Sequence, residues 1–150
     1  MAKTDYKSSG VDIDAGNEAV NRIGPLVKTT FGPEVLTGLG SFGSMVELGP
    51  TLKDYSNPVL IQSIDGVGTK VSVAKMAGQY FNLGIDVVSA TTNDILVHGA
   101  RPVTFLDYIA NEKLDPAVVE EIVSGMVENC RENGIALVGG ETAEMPSTYL

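Results

Sequence analysis

One hundred and fifty residues carry ten Lys plus Arg against nineteen Asp plus Glu, a formal net charge of -9 with the lone histidine neutral. That charge repels nucleic-acid phosphates, and the cations are scattered along the chain instead of clustered, so nucleic acid is set aside as a partner. Hydrophobic residues make up 43%, enough for the core of one ordinary domain, and no apolar run approaches the ~18 residues of a membrane span.

The single cysteine, Cys130, rules out an internal disulfide and a Cys-based zinc cluster, and Met1 to Asp5 leads into no apolar signal-peptide core; a reducing cytoplasm is the expected setting. From the N-terminus, Ser8-Ser9-Gly10 marks a turning stretch before Val11 to Asp14. Asp14 is the expected cap of a helix in which Val20, Ile23 and Val27 keep helical spacing, and Gly24-Pro25 inside that pattern should end or kink it. Residues 32 to 44 are too rich in glycine for a regular element and read as a loop. Met45 to Leu48 and Val59 to Ile64 read as short strands able to pair as neighbours.

Val71 to Met76 and Gly84 to Val97 repeat apolar residues at helical spacing, and Val103 to Ile109 is rich in β-formers. Asp115-Pro116 supplies an N-cap with proline in the first helical position. Val118, Val119, Ile122, Val123, Met126, Val127 and Cys130 then form one apolar face that lasts until Gly134. Ile135 to Val138 is a short buried strand leading into a polar loop from Gly139 to Pro146. The chain stops four residues later, which suggests a piece of a longer protein.

Gly38 to Gly43 spells GxGxxG, but a dinucleotide fingerprint needs a strand before it and a helix after it, and here a Gly-Pro stretch precedes and a strand is expected to follow. A flexible connector and a phosphate-covering flap both remain open for it, and neither glycine group continues as a Walker A motif. Asp65-Gly66-Val67-Gly68-Thr69-Lys70 follows a strand-like run and offers a carboxylate, a hydroxyl, an ammonium and freed backbone amides within six residues. Those are the parts of a metal-phosphate site, since Mg²⁺ takes one or two carboxylates and completes its shell with water and phosphate oxygens. An Asp-Gly turn with a solvated lysine is the plainer alternative. Asp94, on an apolar helix, faces a cap, a cation or solvent. Glu141 and Glu144 follow a buried strand, where open α/β sheets bind ligands, or else decorate a solvated turn. The lone histidine, His98, has no GxSxG partner and reads as structural or surface; Cys130 reads as inert core.

Taken together, Gly10 to Gly16, Gly38 to Gly43, Asp65 to Lys70, Gly84-Ile85-Asp86 with Asn93-Asp94, Phe105-Leu106-Asp107-Tyr108 and Gly139 to Pro146 occur in the order and spacing of one family. The chain resembles the phosphoribosylformylglycinamidine cyclo-ligases (AIR synthetases) over essentially all 150 residues, matching the N-terminal half of that family only. The resemblance implies a mixed α/β fold, with strands pairing between two subunits into a shared barrel and helices packed outside, and hence a homodimer. It makes residues 1 to 150 an N-terminal ATP-binding and dimerisation domain, with a flexible segment at about residues 1 to 16, and leaves the family's C-terminal domain outside this chain.

The implied activity is ATP-dependent closure of formylglycinamidine ribonucleotide to aminoimidazole ribonucleotide in purine biosynthesis, with ATP and Mg²⁺ as cofactors, a small-molecule nucleotide as substrate, and neither nucleic acid nor membrane as partner. Carried over by position, Asp65 and Asp94 hold the metal, and Gly66, Gly68, Thr69, Lys70, Asp12 and Glu141 attend the ATP phosphates; no catalytic residue and no general base is assigned. The chain departs from the family's usual glutamine and glutamate at His98 and Arg101, and from its usual glycine at Ser41 and Ser147. Two other readings stay open: a related ATP-using enzyme with another acceptor, and a non-catalytic dimerisation and nucleotide-binding module.

Overall fold

A computed structural model describes residues 9–148. Helix α1 (Ile13–Lys28) starts at Asp12, not at Asp14 as the pattern suggested. The Asp12 carboxylate accepts hydrogen bonds from the amides of Asp14 and Ala15, both at 3.1 Å, and Asp14 instead places a negative charge on the first turn. The helix also runs three residues past Pro25, where a stop or kink was expected. Proline inside a helix costs about 3 kcal/mol, but Ile23 and Val27 flank it and are both buried, which returns about 1.5–3 kcal/mol apiece. Of the segment expected to be flexible, residues 1–8 lie outside the described residues, and Ile13 to Gly16 form the first turn of α1.

Between α1 and the next long helices the chain is irregular. The expected strand at Met45 to Leu48 is reduced to one antiparallel bridge, Val35 with Val46, which closes the Gly38–Gly43 loop through bonds from Leu36 N to Met45 O and from Glu47 N to Glu34 O, 2.8 Å each. One turn of helix, α2 (Gly49–Leu52), follows. Val59 to Ile64 is not a strand either, and it does not pair with Met45 to Leu48. A strand exists only against a partner, and none of the described residues supplies one here; Val59, Leu60 and Ile64 are 82%, 80% and 94% exposed.

Helix α3 (Lys70–Ala77) ends at Gly78, whose left-handed φ of +62° suits glycine. Helix α4 (Phe81–Leu96) has no cap from its own N-cap residue, Tyr80. Glu121, on a neighbouring helix, does that work by accepting from the amides of Tyr80 and Phe81 at 2.7 and 3.1 Å. That neighbour is α5 (Pro116–Glu132), which begins at Asp115 with proline in its first turn, as the sequence indicated. Strands β1 (Thr104–Asn111) and β2 (Ala136–Glu144) pair in parallel on either side of it, because parallel neighbours need a crossover and α5 provides one. The ladder shifts after Phe105, leaving Val138 without a partner and aligning Asp107 with Gly140 and Asn111 with Glu144.

The result is a mixed α/β chain whose core lies between one face of the sheet and the helices α1 and α5, with α4 packed on α5. Val27, Val88, Val119, Val123, Cys130, Ile135 and Leu137 are its most deeply buried side chains. Strand β2 extends through Glu144, so the loop expected from Gly139 onward is instead the second half of a strand, and Glu141 lies in the sheet. The other face of the sheet is open, with Leu106, Tyr108 and Glu141 exposed on it.

Candidate functional site

The Asp65 to Lys70 run is an exposed turn at the N-terminus of α3. Gly68 takes a left-handed φ of +57°, and the amides of Lys70, Val71 and Ser72 fold back onto the carbonyls of Val67, Gly68 and Thr69. Asp65 accepts from the amide of the next residue, Gly66, at 2.7 Å. Ser63, two residues earlier, donates its hydroxyl to Asp94 at 3.0 Å and so ties the α4 carboxylate to the segment that ends in Asp65. Lys70 reaches α4 as well, where its ammonium lies 2.9 Å from Asp86. Asp94 is thus tied to the segment before Asp65 through Ser63, and Lys70 to α4 through Asp86.

The fit to Mg²⁺ rests on the donor set. Asp65 and Asp94 are both exposed and supply hard oxygen ligands, and no group of three or more acidic, histidine or cysteine side chains suited to a metal occurs among the described residues. One or two carboxylates with water and phosphate making up the rest is how Mg²⁺ is usually bound, so the pair suits a metal that arrives with a phosphorylated ligand. The Lys70–Asp86 pair is solvent-exposed, and such pairs are worth only ~0–1 kcal/mol, so exchanging the aspartate for a phosphate costs little.

A second group of acidic residues collects at the carboxyl ends of β1 and β2, where parallel sheets present their ligand crevices. Asp12 and Glu141, both assigned above to the ATP phosphates, stand apart here. The Asp12 carboxylate caps α1, while its backbone amide donates to Glu144. Glu144 accepts with its other oxygen from the amide of Leu114 at 2.8 Å. Gly10 packs on Pro146 so closely that an added Cβ would come within 2.6 Å of the proline Cγ, and its φ of +86° is one that favours glycine. Glu141 is exposed beside Tyr108.

Asp107 escaped the site assignment, although its Phe-Leu-Asp-Tyr segment carried part of the resemblance. It lies on the covered face of β1 directly over Gly140, where an added Cβ would sit 2.1 Å from its Oδ1. Burial pushes Asp107 up to about 7 from the usual carboxylate range; a backbone hydrogen bond pulls it down in part, and the charge of Glu141 adds to the rise. Burial also drives the Cys130 thiol up to about 12, with Asp107 contributing, so the cysteine is an unreactive core residue as the apolar pattern suggested. The signal for Asp107 was a carboxylate at a position where strand alternation demands an apolar residue. His98 is exposed after the end of α4.

Comparison with known proteins identifies the region. Residues 52–150 match the family described as AIR synthase related protein, N-terminal domain. A phosphoribosylformylglycinamidine cyclo-ligase of Trichlorobacter lovleyi is 53% identical over 144 residues, which is 96% of this chain and 41% of the relative. One from Citrifermentans bemidjiense is 51% identical over 147 residues, 98% of the chain and 42% of the relative. One from a Synechocystis species is 48% identical over 145 residues, 97% of the chain and 42% of the relative. The chain thus spans about two fifths of the length of these curated relatives.

Proposed function

Because the chain belongs to the AIR synthase related proteins, as their N-terminal domain, we propose that it forms the ATP-binding and subunit-pairing part of a phosphoribosylformylglycinamidine cyclo-ligase. The observation that carries this reading is identity of about half over nearly the whole chain to relatives that bear that name. The reaction is the ATP-dependent closure of formylglycinamidine ribonucleotide to aminoimidazole ribonucleotide. The formamide oxygen accepts the γ-phosphoryl group as ADP leaves, the amidine-derived nitrogen attacks the activated carbon, and phosphate departs with the oxygen. Ring closure within one bound molecule gains from proximity, so the protein has chiefly to position groups and offset phosphate charge.

In this reading Asp65 and Asp94 hold Mg²⁺, and Lys70, the amides of Gly66 and Gly68 and the Thr69 hydroxyl receive the phosphates, with Asp12 and Glu141 completing the set. The metal, when bound, neutralises phosphate charge and lets an acidic chain take a polyanion. The exposure of Asp65, Gly66, Gly68, Thr69 and Lys70 supports this assignment, with the Gly66 amide and the Lys70 ammonium having to leave Asp65 and Asp86 for the ligand. Two copies pair through the exposed Val59–Ile64 segment and the open sheet face that bears Leu106 and Tyr108. The setting is cytoplasmic, where the Cys130 thiol stays reduced; no helix among the described residues is long and apolar enough to cross a membrane.

Calorimetric titration of the chain with ATP, in Mg²⁺ and again in chelator, tests the reading. Binding that requires Mg²⁺ and weakens at least tenfold in Asp65→Asn and Asp94→Asn is expected. Binding that is indifferent to both substitutions removes the metal assignment, and a folded chain that ignores ATP in either condition removes the nucleotide site from this region.

A further inference from the structure

Glu144 spends one carboxylate on two distant backbone amides. Its two oxygens accept from Asp12, 132 residues away in sequence, and from Leu114 in the turn between β1 and α5. Both bonds are charge-assisted, and they close three parts of the chain on one point: the segment entering α1, the turn after β1 and the last residue of β2. A second contact, independent of the first, fixes the same segment, because Gly10 lies against Pro146 with no room for a Cβ. Residues Gly10 to Asp12 are thereby strapped across the carboxyl end of the parallel pair. The register partner of Glu144 is Asn111, whose side-chain nitrogen is buried there without a hydrogen-bond partner. A buried donor left unpaired is costly, so this end of the sheet has a use for an acceptor from outside.

We propose that Glu144 is a positioning residue for the nucleotide site, holding the Gly10–Asp12 strap in place through the backbone of Asp12. This rests on the reading above, in which Asp12 belongs to the phosphate side of that site. The carboxylate does not act on the ligand itself. It sets where the strap and the start of α1 stand, and Asp12 is fixed from both sides, by Glu144 on its amide and by its own cap bonds to Asp14 and Ala15. A glutamine at 144 keeps the shape and one acceptor oxygen but satisfies only one of the two amides.

The test uses Glu144→Gln and, as an independent lesion of the same strap that leaves the carboxylate intact, Gly10→Ala. Two readouts are compared: hydrogen exchange at the amides of Asp12 and Leu114, and the affinity for Mg-ATP by calorimetry, each set against the midpoint of urea unfolding. The expected result is exchange at Asp12 faster by about tenfold or more in both variants and Mg-ATP affinity weaker by about tenfold, the scale of one lost charge-assisted hydrogen bond, beside whatever fall in the unfolding midpoint the lost contact brings. A merely structural role moves the midpoint and leaves affinity alone; that outcome overturns the proposal, as does unchanged exchange at Asp12. If Glu144→Gln fails to fold, Gly10→Ala decides by the same two readouts. Absence of Mg-ATP binding by the parent chain defeats the nucleotide reading and the positioning role together, while the exchange data still show whether the strap is latched by Glu144.

Discussion

Asp107 carries the clearest pH signature in the molecule. Its pKa is raised to about 7 in the folded chain against an ordinary value of 3.8, so between those values the native state keeps a proton that the unfolded state has lost. Stability from this group is therefore complete at the acid end, falls as pH rises from about 4 to about 7, and is level above that. The full swing is on the order of 4 kcal/mol. Asp107→Asn, which resembles the protonated acid and fits over Gly140, should remove the slope: urea unfolding at pH 5 and pH 8 will show the variant gaining on its parent as pH rises. An equal difference at both pH values would mean that the carboxyl is already ionised in the fold. Ser147 is a second residue whose backbone is at odds with its side chain, since it is the one non-glycine among the described residues with positive φ, at 63°. That conformation costs a residue with a Cβ about 1–2 kcal/mol, a cost that glycine escapes. Ser147→Gly should raise stability by up to about 1 kcal/mol, the gain being trimmed by glycine's larger unfolded-state freedom; the midpoint of urea unfolding reads it directly.

At the scale of elements, the contact between α4 and α5 is set by two glycines. An added Cβ on Gly84 would lie 2.0 Å from the carbonyl oxygen of Ile122, and one on Gly125 would lie 2.0 Å from that of Phe81. Backbone cannot yield as a flexible side chain does, so either substitution must push the helices apart. That movement strains the Glu121 cap on α4 and the bonds from Asn129 to Ile85 O and Ser89 Oγ at 2.9 and 2.8 Å. Gly84→Ala and Gly125→Ala should each cost about 1–3 kcal/mol or more. The double variant should cost less than the sum, because separation forced by the first relieves the second; chemical denaturation of the four proteins checks both points. The long helices were legible in the sequence because local spacing and a cap decide them: Asp115-Pro116 and the face from Val119 to Cys130 required no knowledge of tertiary structure. The reach of α1 past Pro25 was not legible, because packing of Ile23 and Val27 outweighed a local rule. The run from Asp65 to Lys70 could be nominated from the sequence because its groups are contiguous. The ties from Ser63 to Asp94 and from Glu144 to Asp12 join residues 31 and 132 apart, and no local pattern reports such pairs. Nor could Glu141 be placed in a strand, because Gly139-Gly140 argues for a turn and only pairing with β1 makes it β.

For the whole molecule, the segment that was read as a strand and is not one becomes informative. Val59, Leu60 and Ile64 have the composition of a strand and stand in solvent, and the open face of the sheet adds Leu106 and Tyr108. Association costs roughly 4–15 kcal/mol in lost freedom, and burying a large apolar side chain returns about 1.5–3 kcal/mol. Three such residues from one copy barely meet the lower bound, whereas the same three from each of two copies pass well beyond it, which is the arithmetic of an interface that repeats by symmetry. Charge opposes this pairing, since each copy carries -9. Ile64→Lys separates the two contributions: it makes each copy less negative, so an association limited by repulsion strengthens, while an apolar interface built on Ile64 loses a side chain from both copies and weakens. We expect dissociation to become easier by tenfold or more in sedimentation equilibrium. Added salt should strengthen any self-association of the parent chain by screening the repulsion between copies. A variant that associates as well as its parent would remove the Val59–Ile64 segment from the interface and leave the open sheet face as the surface to test next.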